Sequence, residues 1–147
     1  MKALVCGGAG YIGSHMARLL AAHGHEVVVL DDLSTGHAQA VQWGRLVEAD
    51  VLHPPSLEAA FAGQRFDAVF HFCARSLVAE SMARPYDYYA SNVVGTLNLL
   101  EAMRRHGVRR LVFSSSASVY GQPASGMVDE DRPTQPTHPY GASKLMA

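Results

Sequence analysis

Cys6-Gly7-Gly8-Ala9-Gly10-Tyr11-Ile12-Gly13-Ser14-His15 is the stretch whose reading decides the fold of this chain. It follows a short apolar run, Ala3-Leu4-Val5, and opens a segment with Ile12, Met16, Leu19 and Leu20 at helical spacing. The pattern predicts a strand that turns sharply into a helix on glycines. Such a turn suits a pyrophosphate, because glycine lets phosphate oxygens approach the backbone closely. The N–H groups and positive dipole end of the new helix then face the anion. Two glycine patterns overlap: Gly8-Gly10-Gly13 spells G-x-G-x-x-G, and Gly7-Gly10-Gly13 spells G-x-x-G-x-x-G. Either one alone also fits a turn that serves only packing. Asp31 and Asp32, about twenty residues further on at the end of a second apolar run, tip the reading toward a dinucleotide.

The chain has 147 residues, enough for one domain with a real core, and its 48% hydrophobic and 17% charged content is ordinary for a globular protein. A formal net charge of −1 and a pI of about 6.7 supply no basic field for nucleic acid or an anionic membrane. No apolar run reaches spanning length, and the first residues already form the motif strand. Neither a membrane anchor nor a signal peptide is expected, and the cytoplasm is the expected compartment. Cys6 and Cys73 both end apolar runs and read as small buried hydrophobes before a disulfide. His23-Gly24-His25 reads as a helix stop rather than a metal site, since no carboxylate or cysteine lies beside it. No metal is expected.

The next run, Glu26-Val27-Val28-Val29-Leu30-Asp31, reads as a buried strand ending in acid. Asp31, with Asp32 close behind, is placed to meet adenosine ribose hydroxyls. Neither Lys nor Arg follows in Leu33-Ser34-Thr35-Gly36, so a 2′-phosphate would find negative charge and no cation. NAD is therefore favoured over NADP. Leu46 to Asp50, Phe66 to Phe72 and Arg110 to Phe113 read as further strands. Pro54 to Phe61 reads as a short helix stopped by Gly63, and Tyr86 to His106 as a long one followed by Gly107. The long helix carries Tyr89, Val93, Leu97, Leu100 and Met103 down one side. This alternation predicts an α/β fold with a doubly wound parallel sheet in the order 3-2-1-4-5. Ligands bind beyond the carboxyl ends of such strands, which puts the glycine turn, Asp31, Asp50, Phe72 to Ser76 and the run Ser114-Ser115-Ser116 on one rim.

Chemistry concentrates in the last third. Tyr140-Gly141-Ala142-Ser143-Lys144 is Y-x-x-x-K, a spacing that stacks both side chains on one helix face. A phenol, with a reference pKa of about 10, is a poor base at neutral pH. An ammonium one turn away, together with an oxidised nicotinamide, favours the phenolate and makes tyrosine a usable general base. A serine hydroxyl from the preceding strand end can hold a developing oxyanion. Ser118, Tyr120 and Ser143 read as structural. Y-x-x-x-K alone also describes an ordinary helix start with a solvated lysine; its weight comes from following the glycine turn and the serine run in one chain.

Taken together these residues resemble the extended short-chain dehydrogenase/reductases, and the resemblance runs the length of the chain. Gly7, Gly10 and Gly13, with Tyr11 and Ile12, are similar to the family's pyrophosphate turn. Asp31, Asp32, Ser34, Thr35 and Gly36 resemble its ribose loop, and Asp50 and Val51 the pair beside adenine. Phe72, Cys73, Ala74, Arg75 and Ser76 resemble the segment along the middle of the cofactor. Asn92, Ser114, Tyr140 and Lys144 complete the cofactor set that the resemblance implies. It further implies a Rossmann-type fold, NAD as cofactor, Ser116 as catalytic serine, Tyr140 as base and Lys144 as its partner.

The implied reaction is a hidden redox cycle that epimerises a UDP-sugar at C4 in a homodimer. Tyr140 takes the 4-hydroxyl proton while hydride leaves C4 and later returns to the other face. The related dehydratases carry an Asp-Glu pair after the catalytic hydroxyl, where Ala117-Ser118 stand here. Ser76 stands where some members have a lysine. Members are roughly twice this length. Residues 1–147 therefore read as one NAD-binding domain that ends inside the Tyr140–Lys144 helix, before a substrate domain. Another nucleotide-sugar epimerase or dehydratase, or an NAD-binding module without turnover, are the alternative readings.

Overall fold

The computed structural model describes residues 1–122 and 126–147. In chain order the elements are β1 (Lys2–Cys6), α1 (Tyr11–Ala22), β2 (Glu26–Asp31), β3 (Arg45–Glu48), α2 (Pro54–Phe61) and β4 (Ala68–His71). Then come α3 (Val78–Ala83), α4 (Pro85–Tyr89), a π turn over Ala90–Val94, α5 (Gly95–Arg105), β5 (Leu111–Phe113), a 3₁₀ turn over Ala117–Tyr120 and α6 (Pro139–Met146). These gather into two compact units, residues 1–73 with 98–114 and residues 74–97 with 115–147.

The first unit is built on a parallel five-stranded sheet in the expected order β3-β2-β1-β4-β5. Strand periodicity sorts its side chains onto two faces. Leu4 and Cys6 of β1 and Val28 and Leu30 of β2 join Leu57, Ala60 and Phe61 of α2 and Leu99, Ala102 and Met103 of α5 in one core. Ala3, Val5, Val27 and Val29 point the other way and pack with Ala17 and Leu20 of α1. Val-rich strands buried on both faces are what a parallel interior strand requires. Gly24, Gly63 and Gly107 each adopt positive φ where the sequence places a helix stop. The long helix departs from a regular pattern. A π turn interrupts it at Ala90–Val94, and the face turned inward is Tyr88, Asn92, Thr96, Leu99 and Met103, while Leu97 and Leu100 stay exposed.

Charges lace α2 to the end of α5. Glu101 receives Arg104 Nε at 2.7 Å and Arg105 Nε at 2.8 Å, and Glu58 receives His106 Nε2 at 2.9 Å. The guanidinium of Arg104, then that of Arg105, hold the Glu101 carboxyl down to about 2 by hydrogen bonding. The folded value lies below the ordinary 4.5, so this contribution is full above that pH and is lost as pH falls toward 2. Because the group is solvent-exposed, the effect is small. Thermal midpoints of wild type and Glu101→Gln should differ slightly at neutral pH and converge across that acid window. A gap that persists there removes the charge as its cause.

The second unit gathers α3, α4, the π turn, the 3₁₀ turn and α6. Its centre is Tyr88, fully buried, whose hydroxyl lies 2.7 Å from both Leu77 O and Glu80 Oε2, its one proton shared between them, and accepts from Leu77 N.

Candidate functional site

In the first unit the glycine turn is pinned from both sides. Gly7 takes φ +78°, and a Cβ there would sit 2.7 Å from Cys73 N and 2.8 Å from Phe72 C, so chain after β4 lies directly against it. Gly7 N donates to Leu30 O at 2.7 Å and Phe72 N to Cys6 O at 2.8 Å. A Cβ at Gly13 would fall 2.1 Å from Gly7 O, so the helix can start this close to the turn only on glycine. Gly10 differs. Its φ of −83° suits any residue, and among the described residues an added Cβ would meet only Gly7 O, at 3.4 Å. The fold itself does not require a glycine there, whereas a phosphate pressed against the turn would. α1 starts at Gly10 with no side-chain cap and no acidic residue in its first turn, and Tyr11 and Ile12 are exposed beside it. That positive helix end suits a pyrophosphate.

The Asp31–Gly36 loop is stitched to this turn. Buried Asp31 accepts Ala9 N and Leu33 N at 2.9 Å each, one on each carboxylate oxygen, and His37 N donates to Ala9 O. Each oxygen keeps a lone pair for a hydroxyl. Asp32 is exposed and accepts the backbone N–H and hydroxyl of Ser34 at 3.0 and 2.7 Å. Thr35 is exposed, and a Cβ on Gly36 would lie 2.8 Å from that of Ala9. Asp50 turns the chain by accepting Leu52 N at 2.7 Å, and buried Val51 gives its carbonyl to Asn98 Nδ2. Ser114 N donates to His71 O, continuing the sheet beyond β5. Both thiols of the chain lie here. Cys73 packs on the core that holds Cys6, and hydrogen bonding to the Cys6 thiol, then burial, pushes the Cys73 thiol well above its usual range.

The second unit holds the other residues singled out in the sequence. Asn92, 2% exposed, accepts Arg75 N at 2.9 Å, donates to Arg75 O at 3.0 Å and donates to Ser143 Oγ at 2.9 Å. One side chain thus ties the Ala74–Ser76 segment to α6. Ser143 is fully buried and also donates to Tyr140 O at 2.8 Å, a bracing role for the helix. Tyr140 lies edge-on to Tyr88, ring centroids 6.4 Å apart, and Lys144 one turn on is 5% exposed, not a solvated lysine. Ser116 caps the 3₁₀ turn by accepting Ser118 N at 3.1 Å, which leaves its O–H to donate elsewhere. A Cβ on Gly141 would lie 2.6 Å from Ser118 O, so glycine brings α6 against the turn that Ser116 begins. Ser76 and the Arg75 side chain are exposed, the latter 3.5 Å from Glu80. A cavity of about 460 Å³ beside Ser116 is also lined by Ala117, Tyr120, Asp129 and Glu130. Nothing in the local sequence pattern marks those two carboxylates.

The sequence profile of the NAD dependent epimerase/dehydratase family matches residues 3–147. The chain belongs to that family. The UDP-glucose 4-epimerase of Corynebacterium glutamicum is 51% identical over 146 residues, covering 99% of this chain and 44% of that protein. The crystal structure of UDP-glucose 4-epimerase from Brucella ovis in complex with NAD superposes with a TM-score of 0.95 at 45% identity, over 99% of this chain and 45% of its own. A Stenotrophomonas maltophila UDP-glucose-4-epimerase with bound NAD and formylated UDP-arabinopyranose matches at a TM-score of 0.93 and 42% identity, over 99% and 46%. The chain thus spans under half the length of these family members. Among the described residues no helix is long and apolar enough to cross a membrane.

Proposed function

We propose that this chain binds NAD and carries the proton-handling residues of a UDP-glucose 4-epimerase. The observation that carries the reading is the unfilled position at Gly10, beside a helix start with no cap of its own. Gly7, Gly10, Tyr11, Ile12 and Gly13 would hold the pyrophosphate, Asp31 and Asp32 the ribose, and Asp50 and Val51 the adenine. NAD, when bound, supplies a hydride acceptor that is restored in each cycle. Tyr140 accepts the proton of the sugar 4-hydroxyl, with Lys144 one helical turn along α6 as its partner. Ser116, its oxygen anchored on Ser118 N, donates its O–H to the developing oxyanion. Relatives of this identity that bind NAD and a UDP-sugar support the reading.

Three further parts of the reading go with it. The stretch of the relatives' length outside the matched span supplies the wall for the UDP-sugar. The cytoplasm is the compartment. This chain by itself self-associates as a homodimer through the stripe of Tyr89, Val93, Leu97 and Leu100, of which Leu97 is 59% exposed.

Titrating the chain with NAD and with NADP tests the cofactor assignment. NAD should bind more tightly, because Asp31 and Asp32 meet a 2′-phosphate with charge of the same sign. Asp31→Ala should weaken NAD by about 1–3 kcal/mol as hydrogen bonds from the ribose hydroxyls to a charged acceptor are lost. It should also lower thermal stability, because Ala9 N and Leu33 N lose their acceptor. NADP binding as tight as NAD would sink the assignment.

A further inference from the structure

The residue that caps α6 is a histidine, where serine, threonine, aspartate or asparagine are the common choices. Gly141 N donates to His138 Nδ1 at 3.0 Å, so the neutral ring carries its proton on Nε2. Pro139 fills the first helical position, and the His138 ring lies parallel to that of Tyr140, 1° apart in plane with centroids 6.0 Å apart. We propose that His138 is the positioning residue for Tyr140, holding the start of the catalytic helix only while its imidazole is neutral. The proposal rests on the reading of Tyr140 as proton acceptor. When Nδ1 takes up a proton, the acceptor becomes a donor facing another donor, and a positive charge stands at the positive end of the helix. Both changes loosen the first turn, which contains Tyr140.

The titratable groups on the elements packed against α6 are Glu80 on α3, Tyr86, Asp87, Tyr88 and Tyr89 on α4, and Tyr120 on the 3₁₀ turn. The π turn contributes none, and α6 itself carries Tyr140 and Lys144. Glu80 is engaged by the Tyr88 hydroxyl and Arg75, and Asp87 by Arg84 at 2.6 Å.

Amide exchange of Gly141, followed by NMR on the intact chain from about pH 8 to about pH 5, tests this. Corrected for the intrinsic pH dependence of exchange, protection should fall roughly fivefold to tenfold across that range in wild type, the loss expected of a helix cap. His138→Ser caps with a hydroxyl that does not titrate and should hold protection level throughout. His138→Ala should be poorly protected at every pH, and His138→Asn takes over the role of His138→Ser if that variant fails to fold. A level wild-type profile, or an acid fall that survives in His138→Ser, overturns the proposal. The readout needs neither cofactor nor turnover, so failure of the base assignment shows separately, as turnover that persists in Tyr140→Phe.

Discussion

Tyr140→Phe should slow turnover of a UDP-sugar by about 10²–10⁴-fold and leave NAD affinity nearly intact, measured in a polypeptide of the relatives' length that carries this span. The substitution deletes one oxygen. The ring keeps its edge contact with Tyr88 and its stack on His138, and the cap of α6 is made by a different side chain. Volume and packing are conserved, so stability changes little. What disappears is the acceptor for the hydroxyl proton. Lys144 cannot take its place while it carries its own proton, and Ser116 is a far weaker base than a phenolate. Steady-state rates with UDP-galactose, beside a cofactor titration on the same sample, separate the two effects. Near-normal turnover would remove Tyr140 from the mechanism, while a parallel loss of NAD binding would move its role to the cofactor.

Gly10→Ala should lower NAD affinity at least tenfold, about what losing one hydrogen bond to a charged phosphate oxygen removes, with the melting temperature nearly unchanged. Alanine is a poorer helix cap than glycine, a loss of at most about 1 kcal/mol. Among the described residues the new methyl group meets no atom closer than 3.4 Å. Gly13→Ala makes the control. Its methyl would sit 2.1 Å from Gly7 O and 2.7 Å from Gly8 Cα, so backbone must move. That variant should lose about 1–3 kcal/mol of stability, the usual range for overpacking, as well as cofactor. On that outcome the two glycines of one motif separate into a ligand position and a packing position. Calorimetric titration and thermal melts of both variants read the difference. Wild-type NAD affinity in Gly10→Ala would show that no phosphate presses on that position.

Much of this was legible because the signals are local. The second strand is read with the same ends it has in the structure, since Val27 to Leu30 is apolar without interruption and the turn residues flank it. The sheet order follows from strands and helices alternating. The parts not legible depend on partners far apart in sequence or on choices that local propensity does not favour. Asn92 bonds to Arg75 and Ser143 across 17 and 51 residues, and no spacing rule announces either contact. Leu97, Leu100 and Met103 all lie in α5, where each step of three residues drifts by about 60° around a helix of 3.6 residues per turn, so Met103 reaches the buried face while Leu97 and Leu100 stay exposed. The short α3 (Val78–Ala83) has no capping residue and too few turns to show a period. His138 is not legible as a cap because imidazole is not a usual one, although the proline after it marks a helix start.

The two thiols at the ends of β1 and β4 give the cradle a chemical clock. Alkylating reagents consume the thiolate, and Cys73 is held in its protonated form by its neighbour and by burial. Cys73 is half-buried, so the rate at which a maleimide consumes it reports both its exposure and its small thiolate fraction. Anything that fastens the glycine turn to Phe72 and Cys73 slows that clock, so a dinucleotide lying across the turn would be timed by a reagent that never touches it.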